Sequence, residues 1–118
     1  MSVVRPEKVK FMLMAADMRR AVTFYQKVFG LDEIFVSEFW SELNFGNAII
    51  AFHGGHDGSV NPTGLSLQFE DVLSAVERIE KAGGLILDLP TQREGEPILH
   101  GRYRDPEGNE GFITQYVG

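Results

Sequence analysis

The sequence predicts an α+β fold in which two βαβββ modules form a curved mixed sheet around a cleft. Three observations carry that prediction. Asp17 to Leu31 (DMRRAVTFYQKVFGL) and Asp71 to Leu85 (DVLSAVERIEKAGGL) align without gaps at an offset of 54 and share six of fifteen residues. Such self-similarity is the mark of a repeated structural unit. Both segments also space their apolar residues as one face of a helix, and strand-like alternation flanks each of them.

In chain order, the first strand runs through Lys10 to Met14. Its alternation sends Phe11 and Leu13 toward the following helix and Lys10, Met12 and Met14 to the opposite face. Met18, Ala21, Val22, Tyr25 and Val28 then recur at i, i+3, i+4, i+7, the stripe of an amphipathic helix. Asp17 stands where an N-cap belongs and Gly30 where a left-handed C-cap belongs. Strands are expected at Ile34–Ser37, Trp40–Phe45 and Ala48–His53, with Asn44-Phe45-Gly46-Asn47 closing a hairpin. Residues 54–63, rich in Gly, Asn and Pro, read as a linker between modules.

The second module repeats the pattern. Leu65 and Leu67 align with Phe11 and Leu13, while Gly64, Ser66 and Gln68 fall on the face opposite the helix. Val72, Ala75, Val76, Ile79 and Ala82 form the second stripe, capped by Asp71 and by Gly83 and Gly84. Strands follow at Leu85–Leu89, Ile98–Arg104 and Glu110–Val117. Asp105-Pro106-Glu107-Gly108-Asn109 has the Pro and Gly placement of a type I turn. Each helix covers one face of its sheet, and the bare faces make a cleft between modules the natural ligand site. A ferredoxin-like or other α+β sandwich is the alternative architecture.

Composition narrows the function. With 118 residues and 43% apolar content, residues 1–118 are expected to be one domain, with module one at about 8–53 and module two at about 64–117. Eleven Lys and Arg against 17 Asp and Glu give a net charge of −6, which argues against nucleic-acid binding. The absence of Cys excludes disulfides, thiolate metal sites and thiol catalysis. No stretch reads as a membrane span or signal core, so a cytoplasmic location is expected. Nucleophile elbow, HExxH, phosphate-binding loop and dinucleotide fingerprint are all missing.

The segment from Asp17 through Phe24-Tyr25 and Val28-Phe29-Gly30-Leu31, the second helix AVERIEKAGG and the DPEGN hairpin together resemble the vicinal oxygen chelate superfamily. That superfamily includes glyoxalase I, extradiol dioxygenases, fosfomycin-resistance enzymes and bleomycin-binding proteins. The resemblance spans nearly the whole chain and implies the glyoxalase/bleomycin resistance fold. It also implies a divalent ion held by His, Gln or Glu on the first and fourth strands of each module. Carried over by position, those sites are Lys10, Ala51 (or Ile50), Gly64 and Phe112. None offers a competent side-chain lone pair, so the resemblance implies a metal-free branch without cofactor.

Strand alternation supplies a candidate ligand-binding set: Lys10, Met12, Trp40, Ser66, Gln68, His100, Arg102, Phe112 and Thr114. His100 and Arg102 take ligand-contact positions by resemblance to fosfomycin-resistance members. Arg102 offers a planar fork for carboxylate or phosphate, or pairs instead with an acid at the sheet edge. Phe39 and Trp40 are placed to stack on a planar ligand. His53 and His56 around Gly54-Gly55, with Asp57, form a His-x-x-His-Asp pattern that is either an adventitious metal trap or a polar connector.

These residues lead to a metal-independent protein that holds a small organic molecule, aromatic or anionic, in the sheet cleft. One alternative is a glyoxalase-like lyase, isomerase or dioxygenase-related enzyme with His100 or His53 as base and Arg102 as oxyanion stabiliser. The other is a structural dimer with a vestigial cavity. Homodimerisation is implied by resemblance, because paired modules in the family complete their clefts from two chains.

Overall fold

The computed structural model describes residues 2–118. The elements are β1 (Lys10–Met14), α1 (Met18–Phe29), β2 (Asp32–Val36), β3 (Trp40–Phe45) and β4 (Ala48–His53). They continue with β5 (Asn61–Gln68), α2 (Val72–Lys81), β6 (Leu85–Gln92), β7 (Ile98–Arg104) and β8 (Asn109–Tyr116). The order is βαβββ twice.

Both helices start as their sequences require. The Asp17 carboxylate accepts from the Arg20 backbone N–H and the Asp71 carboxylate from that of Ser74. Gly30 ends α1 at φ 69°, a conformation that a Cβ disfavours. In α2 the cap is Ala82, and the left-handed residue is Gly83 at φ 97°.

The strands form two separately hydrogen-bonded mixed sheets, β1-β4-β3-β2 and β5-β8-β7-β6. The first strand of each module runs parallel to the fourth, and the remaining pairs are antiparallel. The expected curved sheet is therefore two four-stranded halves. Three boundaries differ from expectation by two residues or more. β2 begins at Asp32, because Asp32 and Glu33 pair with Asn44 and Leu43 ahead of a bulge. β5 begins at Asn61, within the expected linker, because Asn61 and Pro62 pair with Asn109 and Glu110. β6 extends to Gln92, carried by two irregularities that restore pairing with His100 and Leu99.

The helix-facing sides of both sheets share one core. Leu13, Leu43, Ile50 and Phe52 from the first sheet join Leu65, Tyr103 and Ile113 from the second, with the apolar stripes of both helices between them. Tyr25 on α1 packs against Phe52 with ring centroids 5.3 Å apart, and its hydroxyl lies 3.0 Å from that of Tyr103.

The DPEGN segment turns as expected but is not a surface turn. Asp105, Glu107 and Asn109 are buried, and all three bind the first module. Asp105 accepts from the Tyr25 hydroxyl at 2.8 Å. Glu107 accepts from the backbone N–H groups of Ala16 and Asp17 at 2.9 and 2.8 Å and from Arg20 Nε at 2.6 Å. Asn109 accepts from the Met14 N–H and donates to its carbonyl. Every buried polar side-chain atom among the described residues has a partner. Burial and its low-dielectric surroundings push the Asp105 carboxyl above its usual range, and burial pushes the Tyr25 and Tyr103 hydroxyls up as well.

Candidate ligand-binding faces

Opposite the helices, each sheet presents an open face whose composition follows from strand alternation and register. On the first sheet, Lys10, Met12 and Met14 lie beside Ile49, Ala51 and His53, which lie beside Asn44, Glu42 and Trp40. On the second, Ser66 and Gln68 neighbour Phe112 and Thr114, which neighbour Arg102 and His100, with Asp88 and Thr91 beyond.

Ion pairs cross both faces. Lys10 Nζ is 2.7 Å from Glu42 Oε2, and the Trp40 indole N–H donates to the same oxygen at 2.8 Å. The Lys10 ammonium and then the indole hold the Glu42 carboxyl below its usual range. Trp40 meets His53 edge to face at 6.3 Å. On the second sheet Arg102 Nε donates to Asp88, which raises the guanidinium pKa, and Arg104 Nη2 is 2.7 Å from Glu110. The His100 and Phe112 ring centroids lie 5.2 Å apart with the rings tilted by 39°. Both faces thus carry aromatic side chains, the first also Met12 and Met14, and the three basic side chains beside them are each matched by a carboxylate.

The structure divides the expected site. Lys10, Met12 and Trp40 stand on the first sheet, whereas Ser66, Gln68, His100, Arg102, Phe112 and Thr114 stand on the second. His100, Arg102 and Phe112 border an open cavity of about 690 Å³ together with Asp88, Thr91 and Arg93. Ser66 and Gln68 border a different cavity of about 400 Å³ at the free edge of β5, among Phe29, Phe45 and Phe69. Thr114 is buried between the strands of Gln68 and His100.

Several expectations change accordingly. Of the two expected roles of Arg102, the structure shows the pairing with an acid, since its Nε donates to Asp88 on the neighbouring strand. His53 and His100 belong to different sheets, so one open face does not hold both. His56 and Asp57 both bond within their own loop, with His56 Nε2 3.0 Å from the Ser59 carbonyl and Asp57 accepting from the Ser59 N–H. Phe39 precedes β3 and is exposed rather than sitting on the strand. Sequence reasoning did not single out Glu42 or Asp88. Continuing the period-2 pattern from Trp40 would have found Glu42; the bulges in β6 hide the pairing of Asp88 with Arg102.

A sequence model described as "Glyoxalase/Bleomycin resistance protein/Dioxygenase superfamily" matches residues 9–110. The chain belongs to that superfamily. No curated protein matches significantly. Among solved structures, the chain is similar to an integron cassette protein from the V. cholerae mobile metagenome, at 26% identity and TM-score 0.69, covering 98% of this chain and 99% of that one. It is similar in fold to the fosfomycin resistance protein FosX of Listeria monocytogenes, at 15% identity and TM-score 0.77, with 95% and 94% coverage. It also shares its fold with TnmS3, an antibiotic-binding protein from Streptomyces sp. CB03234, at 19% identity and TM-score 0.74, with 98% and 99% coverage.

Membership in the superfamily raises the question of a metal, and the donor chemistry does not fit one. Lys10 is committed to Glu42, and Ala51, beside Met12 and Glu42, is fully buried. Gly64 has no side chain, and Phe112 presents a ring packed against His100. Among the described residues, no three His, Asp or Glu side chains are grouped as a metal site. No helix is long and apolar enough to cross a membrane.

Proposed function

We propose that this superfamily member is a metal-independent small-molecule-binding protein that holds a neutral aromatic compound against its open sheet faces. The observation that carries this reading is the donor set itself. The four positions where the superfamily holds its ion are filled by an ion-paired Lys, an Ala, a Gly and a Phe packed against His100. Phe112, His100, Trp40 and Met12 supply the aromatic and polarizable surface that planar ligands favour. Pairing of Lys10 with Glu42 and of Arg102 with Asp88 removes net charge from the faces, which favours a neutral ligand over an anion. The cationic glycopeptide bound by bleomycin-binding members fits this balance poorly.

The proposal includes a cytoplasmic homodimer in which one chain's first-sheet face meets its partner's second-sheet face, with residues 1–118 acting as one domain. Shape supports it. The radius of gyration is 15.1 Å against about 13.5 Å for a compact chain of this length. The accessible surface is 7627 Å² against about 6400 Å² for a monomer of this mass, with the extended residues 2–9 contributing part of the excess. Met12, Phe35, Phe39 and Phe45 are exposed apolar side chains that a second chain would cover.

Thermal-shift and calorimetric titration with neutral, anionic and cationic aromatics tests the reading. Saturable binding of neutral aromatics by a dimer, lost on Phe112→Ala and Trp40→Ala, is expected. A stoichiometric metal in the purified protein whose removal abolishes ligand binding would sink it.

A further inference from the structure

We propose that the groove between α1 and α2 is a second binding site, for a small organic anion with at least two negative charges and an apolar body. Its volume is about 550 Å³, within the range of small-molecule sites. It lies on the helix side of the molecule, away from both open faces.

Charge distribution is the first argument. The chain carries a net charge of −6, yet five of its eleven Lys and Arg residues (Arg19, Arg20, Lys27, Arg78 and Lys81) line this groove. Arg20 is committed to Glu107. The other four form no ion pair among the described residues, in contrast with Lys10, Arg102 and Arg104 on the sheet faces. The only carboxylate lining the groove is Asp17, which is engaged in capping α1. Unpaired like charges drawn together from two helices repel unless an anion joins them.

Position is the second argument. Lys27 and Lys81 are equivalent under the internal offset of 54, so the repeat places one lysine in the last turn of each helix. A lysine there complements its own helix dipole, which accounts for each singly. The dipole does not account for Arg19, which stands in the first turn of α1, where a cation is unfavourable. The i, i+4, i+8 spacing of Arg19, Thr23 and Lys27 lines one wall of the groove. The apolar part of the lining comes from Phe24, Val28 and Ala82. Cations and apolar side chains lining one groove select a ligand that has both kinds of surface.

The test is calorimetric titration of the full chain with naphthalene-1,5-disulfonate, with amide chemical shifts followed by NMR. Binding should shift amides of α1 and α2. Affinity should fall by about tenfold in the Lys27→Gln/Lys81→Gln variant, persist in Lys27→Arg/Lys81→Arg, and stay unchanged in Arg5→Gln. At the α1 and α2 amides, pyrophosphate and 1,5-dihydroxynaphthalene, which each lack one of the two features, should saturate only at higher concentration than the disulfonate. No saturable binding, undiminished affinity in the glutamine variant, or shifts centred on β7 would each overturn the site. Pyrophosphate binding as tightly as the disulfonate would overturn the assigned ligand class.

Discussion

Replacing Glu107 by Ala should be among the most damaging single changes in this protein, although Glu107 lies in a hairpin turn. Its carboxylate is fully buried, and Oε1 accepts from the Ala16 and Asp17 N–H groups while Oε2 accepts from Arg20 Nε. A hydrogen bond to a charged group is worth about 1.5–3 kcal/mol when one partner would be left buried without it. The Arg20 side chain is half exposed, so its share is discounted to under about 1 kcal/mol. Water entering the vacated space recovers part of the loss at the two backbone donors. A net cost of about 3 kcal/mol remains, which corresponds to a fall in Tm of roughly 12 °C for a domain of this size. Thermal and urea unfolding followed by circular dichroism would measure it. Glu107→Gln keeps an acceptor for both N–H groups and loses only the ionic partner, so it should cost about 1 kcal/mol, as should Arg20→Ala. If Glu107→Ala destabilises no more than Arg20→Ala, the start of α1 does not depend on this carboxylate and the reasoning fails.

Other outcomes follow from the same contacts. Tyr25→Phe removes the hydroxyl shared by Tyr103 and Asp105 and should cost about 1–2 kcal/mol in urea unfolding, with the fold retained. Trp40 is the single Trp and donates to Glu42, so its fluorescence should report the titration of that carboxyl. Because Glu42 is held below its usual range, its contribution to stability is complete above the ordinary glutamate pKa and is lost as pH falls through the lowered value. The fluorescence midpoint should therefore lie below the ordinary value and rise in Lys10→Gln; an unchanged midpoint would contradict the Lys10 assignment. Asp88→Asn frees the Arg102 guanidinium and should move ligand preference from neutral toward anionic aromatics in a thermal-shift panel. Equal ranking in both proteins would show that the pair does not set selectivity.

Much of the fold was legible because it is periodic. Apolar spacing at 3.6 located both helices, and Asp17, Asp71 and Gly30 marked ends that the structure uses as caps. Alternation at period 2 assigned Lys10, Met12, Ser66, Gln68, Arg102 and Phe112 to faces opposite the helices, where their register places them. Boundaries were missed where pairing across the sheet, rather than local composition, extends a strand. Pro62, a residue that discourages strands, is carried into β5 by its partner Glu110.

Local pattern determined that this chain is a duplicated βαβββ unit and which residues share a face. Those properties depend on residues close in sequence or related by the repeat. Tertiary structure alone decided what the charged residues do. Asp88 reaches Arg102 across irregular strands, Glu42 reaches Lys10 over Ala51, and Glu107 caps a helix about ninety residues earlier in the chain. The same level of structure divided one expected pocket between two sheets and gathered scattered cations into a groove between two helices. Ion pairing depends on distances of a few ångströms between side chains remote in sequence, and no periodicity encodes those distances.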